Sequence, residues 1–163
     1  MENKEDNEIQ NLKDSYSKKE ISFGLPKYDT MACEFEIEKV AEKETEFLLR
    51  EIRRTMVEKI SAYIHLLETI INPASGSLLI FSILKNLNEG DKHEIKEIYK
   101  KLAKIQIGSI KLDTVYNELS ESEFIKKTYE EWIVIKEVLF KIFERFEKDF
   151  DINNSSASNC YFG

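Results

Sequence analysis

The side chains in this 163-residue sequence whose types and spacing could do chemistry are two histidines and a run of regularly placed glutamates. His65 is followed three residues on by Glu68, a spacing that puts both on one helical face. An imidazole beside a carboxylate can bind a metal or move a proton near neutral pH. Its commoner use is a half-buried structural contact. His93 stands in the first turn of an expected helix, inside its capping sequence, and is assigned no chemistry. Glu34, Glu38, Glu42 and Glu46 recur every four residues and would form an acidic ladder on one helix. Like charges at that spacing cost about 0.2–0.5 kcal/mol per pair. With Lys39 and Lys43 alongside and Arg50 following Glu46, the ladder reads as a solvated face.

Facing carboxylates do hold metals in helical bundles, but the di-iron arrangement needs Glu-x-x-His on two helices. That motif does not occur here, and neither does a nucleophile elbow, a P-loop, a dinucleotide fingerprint or a zinc-protease helix. Gly76 alone in its loop is too little for a backbone phosphate cradle. A carboxylate- or histidine-dependent metalloenzyme is therefore the last of three readings, and no catalytic, cofactor or metal residue is assigned.

Nucleic acid is the second reading. The net charge of −7 opposes a polyanion, yet Lys92, Lys96, Lys100, Lys101 and Lys104 crowd one expected helix, and Arg50, Arg53 and Arg54 cluster on another. Lys96, Lys100, Lys104, Arg50, Arg53 and Arg54 are the candidate contacts. Pairs such as Glu97–Lys101, Glu123–Lys127, Glu137–Lys141 and Glu144–Lys148 make a salt-bridged, solvated surface the plainer account.

Cys33 and Cys160 are the only cysteines, too few and too far apart for a disulfide framework or a cysteine zinc site. Cys160 stands fourth from the end, but Tyr161-Phe-Gly163 lacks the pattern of a prenylation signal. Asn153 and Asn154 begin glycosylation triplets that matter only in a secreted chain. The acidic N-terminus carries no apolar signal region, and the apolar run Leu78–Phe81 falls far short of the roughly 20 residues that span a bilayer. A cytoplasmic chain without a membrane segment is expected.

The elements that must carry these residues read as helices throughout. Residues 1–28 are expected to be a flexible tail with a short apolar segment at 21–28, where Ile21, Phe23 and Leu25 alternate. Cys33 to Asn72 contains no Pro or Gly and repeats apolar residues by threes and fours, which predicts one helix roughly 60 Å long. Asp29 or Thr30 would cap it and Pro73 would end it. A short apolar helix follows over Leu78–Asn88, with Ser75 or Ser77 as its cap and Gly90 just past its end. Asp91 and Glu94 form a capping box for the third helix, Gly108 marks a kink, and a short piece runs over 112–119. Ser120 and Glu123 form a second capping box, opening a last helix whose stripe includes Trp132, Leu139, Ile142, Phe143 and Phe146, read as core. Residues 153–163 are expected to be a disordered tail.

The expected fold is all-α: an elongated antiparallel bundle of about four to five helices, two of them long, spanning 29–152 between disordered termini. The two long helices outrun the others, so a head is expected over 52–72, the second and third helices, and 120–135. Residues 33–51 and 136–152 would be left as a two-helix, coiled-coil-like stalk. That stalk carries more apolar surface than one partner helix covers. Phe35, Val40 and Phe47, with Phe143 and Phe146 facing them and Phe23 and Leu25 nearby, are the candidate partner-binding residues. The leading expectation is a non-catalytic interaction or assembly module. It would associate as a homodimer, or with another helical protein, through its long first and last helices.

Overall fold

The computed structural model describes residues 2–43, 45–75 and 78–157. It is all-α, with no strand among the described residues. Its helices are α1 (Glu2–Phe23), α2 (Tyr28–Phe35), α3 (Leu48–Ile71), α4 (Leu78–Asn86), α5 (Glu89–Asp113) and α6 (Glu118–Ala157), and 3₁₀ turns lie at Ile37–Val40 and Pro73–Ser75. The chain divides into two compact units. The first comprises Met1–Ala62 and Ala103–Glu131, the second Tyr63–Leu102 and Trp132–Gly163.

The expected N-terminal tail is a helix. Within α1, Leu12 and Tyr16 lie one turn apart and are both buried, a minimal apolar stripe on an otherwise charged sequence. The Tyr16 hydroxyl donates to the Pro26 carbonyl at 2.6 Å, and burial, reinforced by Glu20, holds its pKa far above that of a free phenol. Gly24 ends the helix at φ +64°, where a residue without Cβ is unstrained, and its N–H returns to the Glu20 carbonyl. Lys126 Nζ caps the same end by donating to the Phe23 carbonyl at 2.9 Å.

The 40-residue helix expected from Cys33 is not continuous. Glu36 takes the left-handed conformation at φ 55° and closes α2, with its N–H bonded to the Ala32 carbonyl. The reason lies in the apolar residues around it. Met31, Phe35, Ile37 and Val40 are all essentially inaccessible, yet Phe35 and Ile37 would point to opposite sides of one helix. The left-handed turn and the 3₁₀ segment bring both inward. A non-glycine residue in this conformation costs roughly 1–2 kcal/mol, which the burial of Ile37 and Val40 offsets at about 1.5–3 kcal/mol per side chain. The glutamate ladder disappears with the break: Glu34 is in α2, Glu38 in the 3₁₀ turn, and Glu42 and Glu46 are in the connection to α3. The first arm of the expected stalk is broken likewise: residues 36–47 contain no α-helix among the described residues.

From Leu48 onward the periodic reading matches the structure. Ile52, Met56, Ile60, Ile64, Leu67 and Ile70 form the buried stripe of α3, which ends before Pro73 as expected. Both later helix starts lie three residues ahead of the capping boxes. The Asn88 side-chain oxygen accepts from the Asp91 N–H at 2.8 Å, and that of Asn117 from the Ser120 N–H at 2.9 Å. Asparagines are therefore the N-caps, and Gly90 lies inside α5. Gly108 does not break α5, which runs through it; an added Cβ there would meet the Phe124 ring at 3.1 Å, so it serves close helix packing. No separate helix forms at 112–119: α5 runs to Asp113 and α6 starts at Glu118.

In the second unit Trp132 packs on Tyr63 at 5.1 Å between ring centroids, and Ile80, Ile95, Ile98, Leu139 and Ile142 are buried. Arg145 donates to Asp91 at 2.7 Å and contacts Glu94, fastening α6 to the start of α5. The helical backbone continues through residues 153–157 of the expected tail. Gly76, the Ser77 cap and residues 158–163, Cys160 among them, lie outside the described residues.

Candidate functional site

Arg53 is the least expected residue of the first unit. A guanidinium in the second turn of α3 stands among the buried apolar stripe and is itself 0% exposed. Such a charge is tolerated only if paired and hydrogen-bonded, because desolvating it alone costs several kcal/mol. Its Nε donates to Glu121 Oε2 at 2.6 Å and Nη2 to Asp113 Oδ1 at 2.8 Å; Nη1 donates to the Ser109 carbonyl at 3.1 Å and to the Ser109 hydroxyl. Glu121, the inward residue of the first turn of α6, is equally inaccessible. Burial opposes the Arg53 charge, but the carboxylates of Glu121 and Asp113 outweigh it and raise its pKa.

The pair is the centre of a longer arrangement. Lys43 meets Glu51 at 2.8 Å, Glu51 meets Arg54 at 3.0 Å, Arg54 meets Asp113 at 3.1 Å, and Asp113 meets Arg53. Arg53 meets Glu121, and Glu121 approaches Arg50 at 3.6 Å. Charges alternate along this line, and a cation stands at each end. Arg50 lies against two rings, its guanidinium carbon 5.7 Å from the Phe47 centroid and 5.0 Å from that of Tyr116, which themselves meet edge to face at 4.6 Å. The Tyr116 hydroxyl donates to Glu118 at 3.3 Å, and burial, then Glu118, pushes its pKa up to about 12. Lys19 holds Glu118 from the other side at 2.5 Å.

The hydrogen bond from Arg53, then its charge and those of Arg54, holds the Asp113 carboxyl below its usual pKa. The unfolded chain takes up that proton near pH 4, the folded chain only at lower pH. The contribution of Asp113 is therefore complete above about pH 4 and fades as pH falls through the folded value. Urea midpoints measured from pH 6 to pH 3 should drop on acidification, and Asp113→Asn should flatten that drop while lowering the midpoint at pH 6.

The other expected residues fall in several places. Phe35, Val40 and Leu25 are buried inside the first unit, where α1 and α2 supply the cover that the sequence leaves open. Phe146 is buried in the second unit and Phe143 half-buried beside it, with ring centroids 6.1 Å apart. Phe23 is half-buried, and only Phe47 of this set is well exposed, at 44%. Of the nucleic-acid candidates, Arg53 is out of reach, Arg54 is engaged with acids and Arg50 is half-buried against the Phe47 and Tyr116 rings; Lys96, Lys100 and Lys104 are exposed on α5, with Lys100 paired to Glu97 at 2.7 Å. His65 Nδ1 lies 3.4 Å from Glu68, and Tyr99 donates to the same carboxylate at 2.9 Å, beside a surface hollow of about 490 Å³. The imidazole is 78% exposed, so this is a surface pair. Among the described residues no group of three or more His, Cys, Asp or Glu is placed to hold a metal ion, and no helix is long and apolar enough to cross a membrane.

The chain matches no known protein family, curated protein or solved structure. Its surface is then the remaining guide, and one feature there escaped the sequence reading. In α4 only Ile80 is buried, while Leu78 is 88% exposed and Leu79 and Phe81 are more than half exposed. A helix this apolar reads as core from its composition. The signal was its shortness, since nine residues with one buried position have apolar side chains on every side.

Proposed function

We propose that this chain is a non-catalytic helical assembly module that associates with a second copy of itself, with the outer side of α4 in the second unit as the contact. The observation that carries the reading is the exposure of Leu78, Leu79 and Phe81 on one short helix. Together they offer apolar surface on the order of a few hundred Å², the size of the largest patch on a typical monomer, which is often functional. Leu78 to Leu84 contains no charged residue. Two copies can therefore meet there about a two-fold axis without burying an ion, although the net charge of −7 repels them elsewhere. The last helix, α6, adds exposed Val134 and Phe140 in the same unit.

Sedimentation velocity over a wide concentration range tests this. The chain should sediment as a dimer at tens of micromolar, and Phe81→Glu should weaken association more than about 100-fold, because a buried unpaired carboxylate costs several kcal/mol. The variant should keep its helical circular dichroism. A chain that stays monomeric at several hundred micromolar would remove the reading. Association that disappears with added salt and persists in Phe81→Glu would instead favour a charged surface such as the α5 lysines.

A further inference from the structure

The alternating line of charges in the first unit has an unfilled end. Each of its interior members touches two opposite charges, and Lys43, the terminal cation at one end, is half exposed to water. Arg50 at the other end is different. Its side chain is only 17% exposed, and its ion-pair partner among the described residues, Glu121, stands at 3.6 Å, beyond hydrogen-bond reach and already committed to Arg53. The buried Nε finds no hydrogen-bond partner. Guanidinium donors at a largely buried position are ordinarily satisfied. Four cations share three carboxylates along the line, so a positive charge is left over, and Glu118 near Tyr116 does not cancel it because Lys19 already neutralises that group.

We infer that Arg50 is a receptor for one oxyanion, a carboxylate or a phosphate group, which docks on the outward N–H groups of its guanidinium beside Phe47 and Tyr116. The planar guanidinium suits two-point binding of either group. The rings fix its plane through cation–π contact and shield it from water, which strengthens the charge-assisted hydrogen bonds. Phe47, 44% exposed, forms the accessible wall. This inference stands apart from the α4 contact, which lies in the other unit.

The test follows the Arg50 Nε–Hε signal of the ¹⁵N-labelled full-length chain by NMR. The signal is assigned by its loss in Arg50→Lys, and the chain is titrated at constant ionic strength with inorganic phosphate, with acetate and with chloride. Phosphate or acetate should move the signal saturably, with a midpoint of about 1 mM as for a single small-ion contact; whichever is tighter identifies the class. Phe47→Leu should weaken the response about two- to fivefold, the value of one exposed cation–π contact. In Arg50→Lys the backbone amides of Phe47 and Tyr116 should no longer respond. An Arg50 signal unmoved at about 50 mM of both anions, or moved equally by chloride, overturns the assignment. Because the wild-type titration decides the matter, the inference stays testable if a variant folds poorly.

Discussion

Glu121→Leu should destabilise the first unit by about 3–5 kcal/mol, the cost of removing one partner from a buried ion pair. The substitution leaves Arg53 inaccessible to water with its Nε donor unpaired, holding only Asp113 and Ser109. The value should lie toward the lower end because Asp113 still neutralises part of the charge. Pairing it with Arg53→Met should restore most of the loss, since two apolar side chains of similar volume can fill the space without desolvating an ion. Urea denaturation of the wild type, both single variants and the double variant forms a complete cycle. A strongly negative coupling, with the double variant more stable than Glu121→Leu alone, is the expected result. Additive losses would mean that Arg53 and Glu121 act separately.

Deleting residues 1–27 should have an effect as large. If the N-terminal segment were a tail, its removal would leave the melting profile unchanged. With α1 in place of a tail, the deletion strips the cover from Met31, Phe35, Ile37 and Val40 and removes Leu12, Tyr16 and Leu25 from the core. Tyr16→Ala alone should cost about 3–5 kcal/mol, as other large aromatic truncations in cores do. The deletion should therefore abolish cooperative unfolding of the first unit and expose enough apolar surface to bind a hydrophobic dye. Thermal unfolding with dye fluorescence reads both. An unchanged melt in the truncated chain would contradict the packing of α1.

Why α1 was illegible follows from the same residues. Leu12 and Tyr16 are a stripe of two fully buried side chains in a segment dense with Lys, Glu, Asp and Asn, so composition points to a tail while a turn-spaced pair points to a helix. The structure follows the pair. Glu36 failed for the opposite reason. Apolar residues continue in helical rhythm on both sides of it, and nothing local marks the left-handed turn; only the joint burial of Phe35 and Ile37 requires it. Where packing was one-sided and long, as in α3 from Ile52 to Ile70, periodicity alone was sufficient. The helix starts show a finer lesson. Asp91-x-x-Glu94 and Ser120-x-x-Glu123 satisfy the capping-box pattern, yet Asn88 and Asn117 reach the chain first and take the role.

The site was legible only in part. Arg50, Arg53 and Arg54 stood out as a cluster, but their spacing is equally that of a basic patch and of one side of an ion-pair network. Their acids lie 59 to 71 positions downstream in sequence, with the exception of Glu51, so no local pattern joins them to Asp113 or Glu121. Burial of Arg53 decides between the two. The sequence also points to association, but through Phe35 and Val40; those are covered by the chain's own N-terminal helices, whereas Leu78, Leu79 and Phe81 of α4 stay exposed, as do Ile107, Ile110, Val115 and Leu119 elsewhere.

The α4 surface is the centre of the functional proposal, and it can be probed atom by atom. Mixing chains that carry ¹³C-labelled leucine methyl groups with unlabelled chains, and recording an isotope-filtered NOE spectrum, detects contacts between copies only. The account predicts cross-peaks from the Leu78 and Leu79 methyl groups to aromatic protons of Phe81 in an unlabelled copy, all lost in Phe81→Glu. A dimer whose cross-peaks arise elsewhere, with the α4 methyl groups silent, would contradict it.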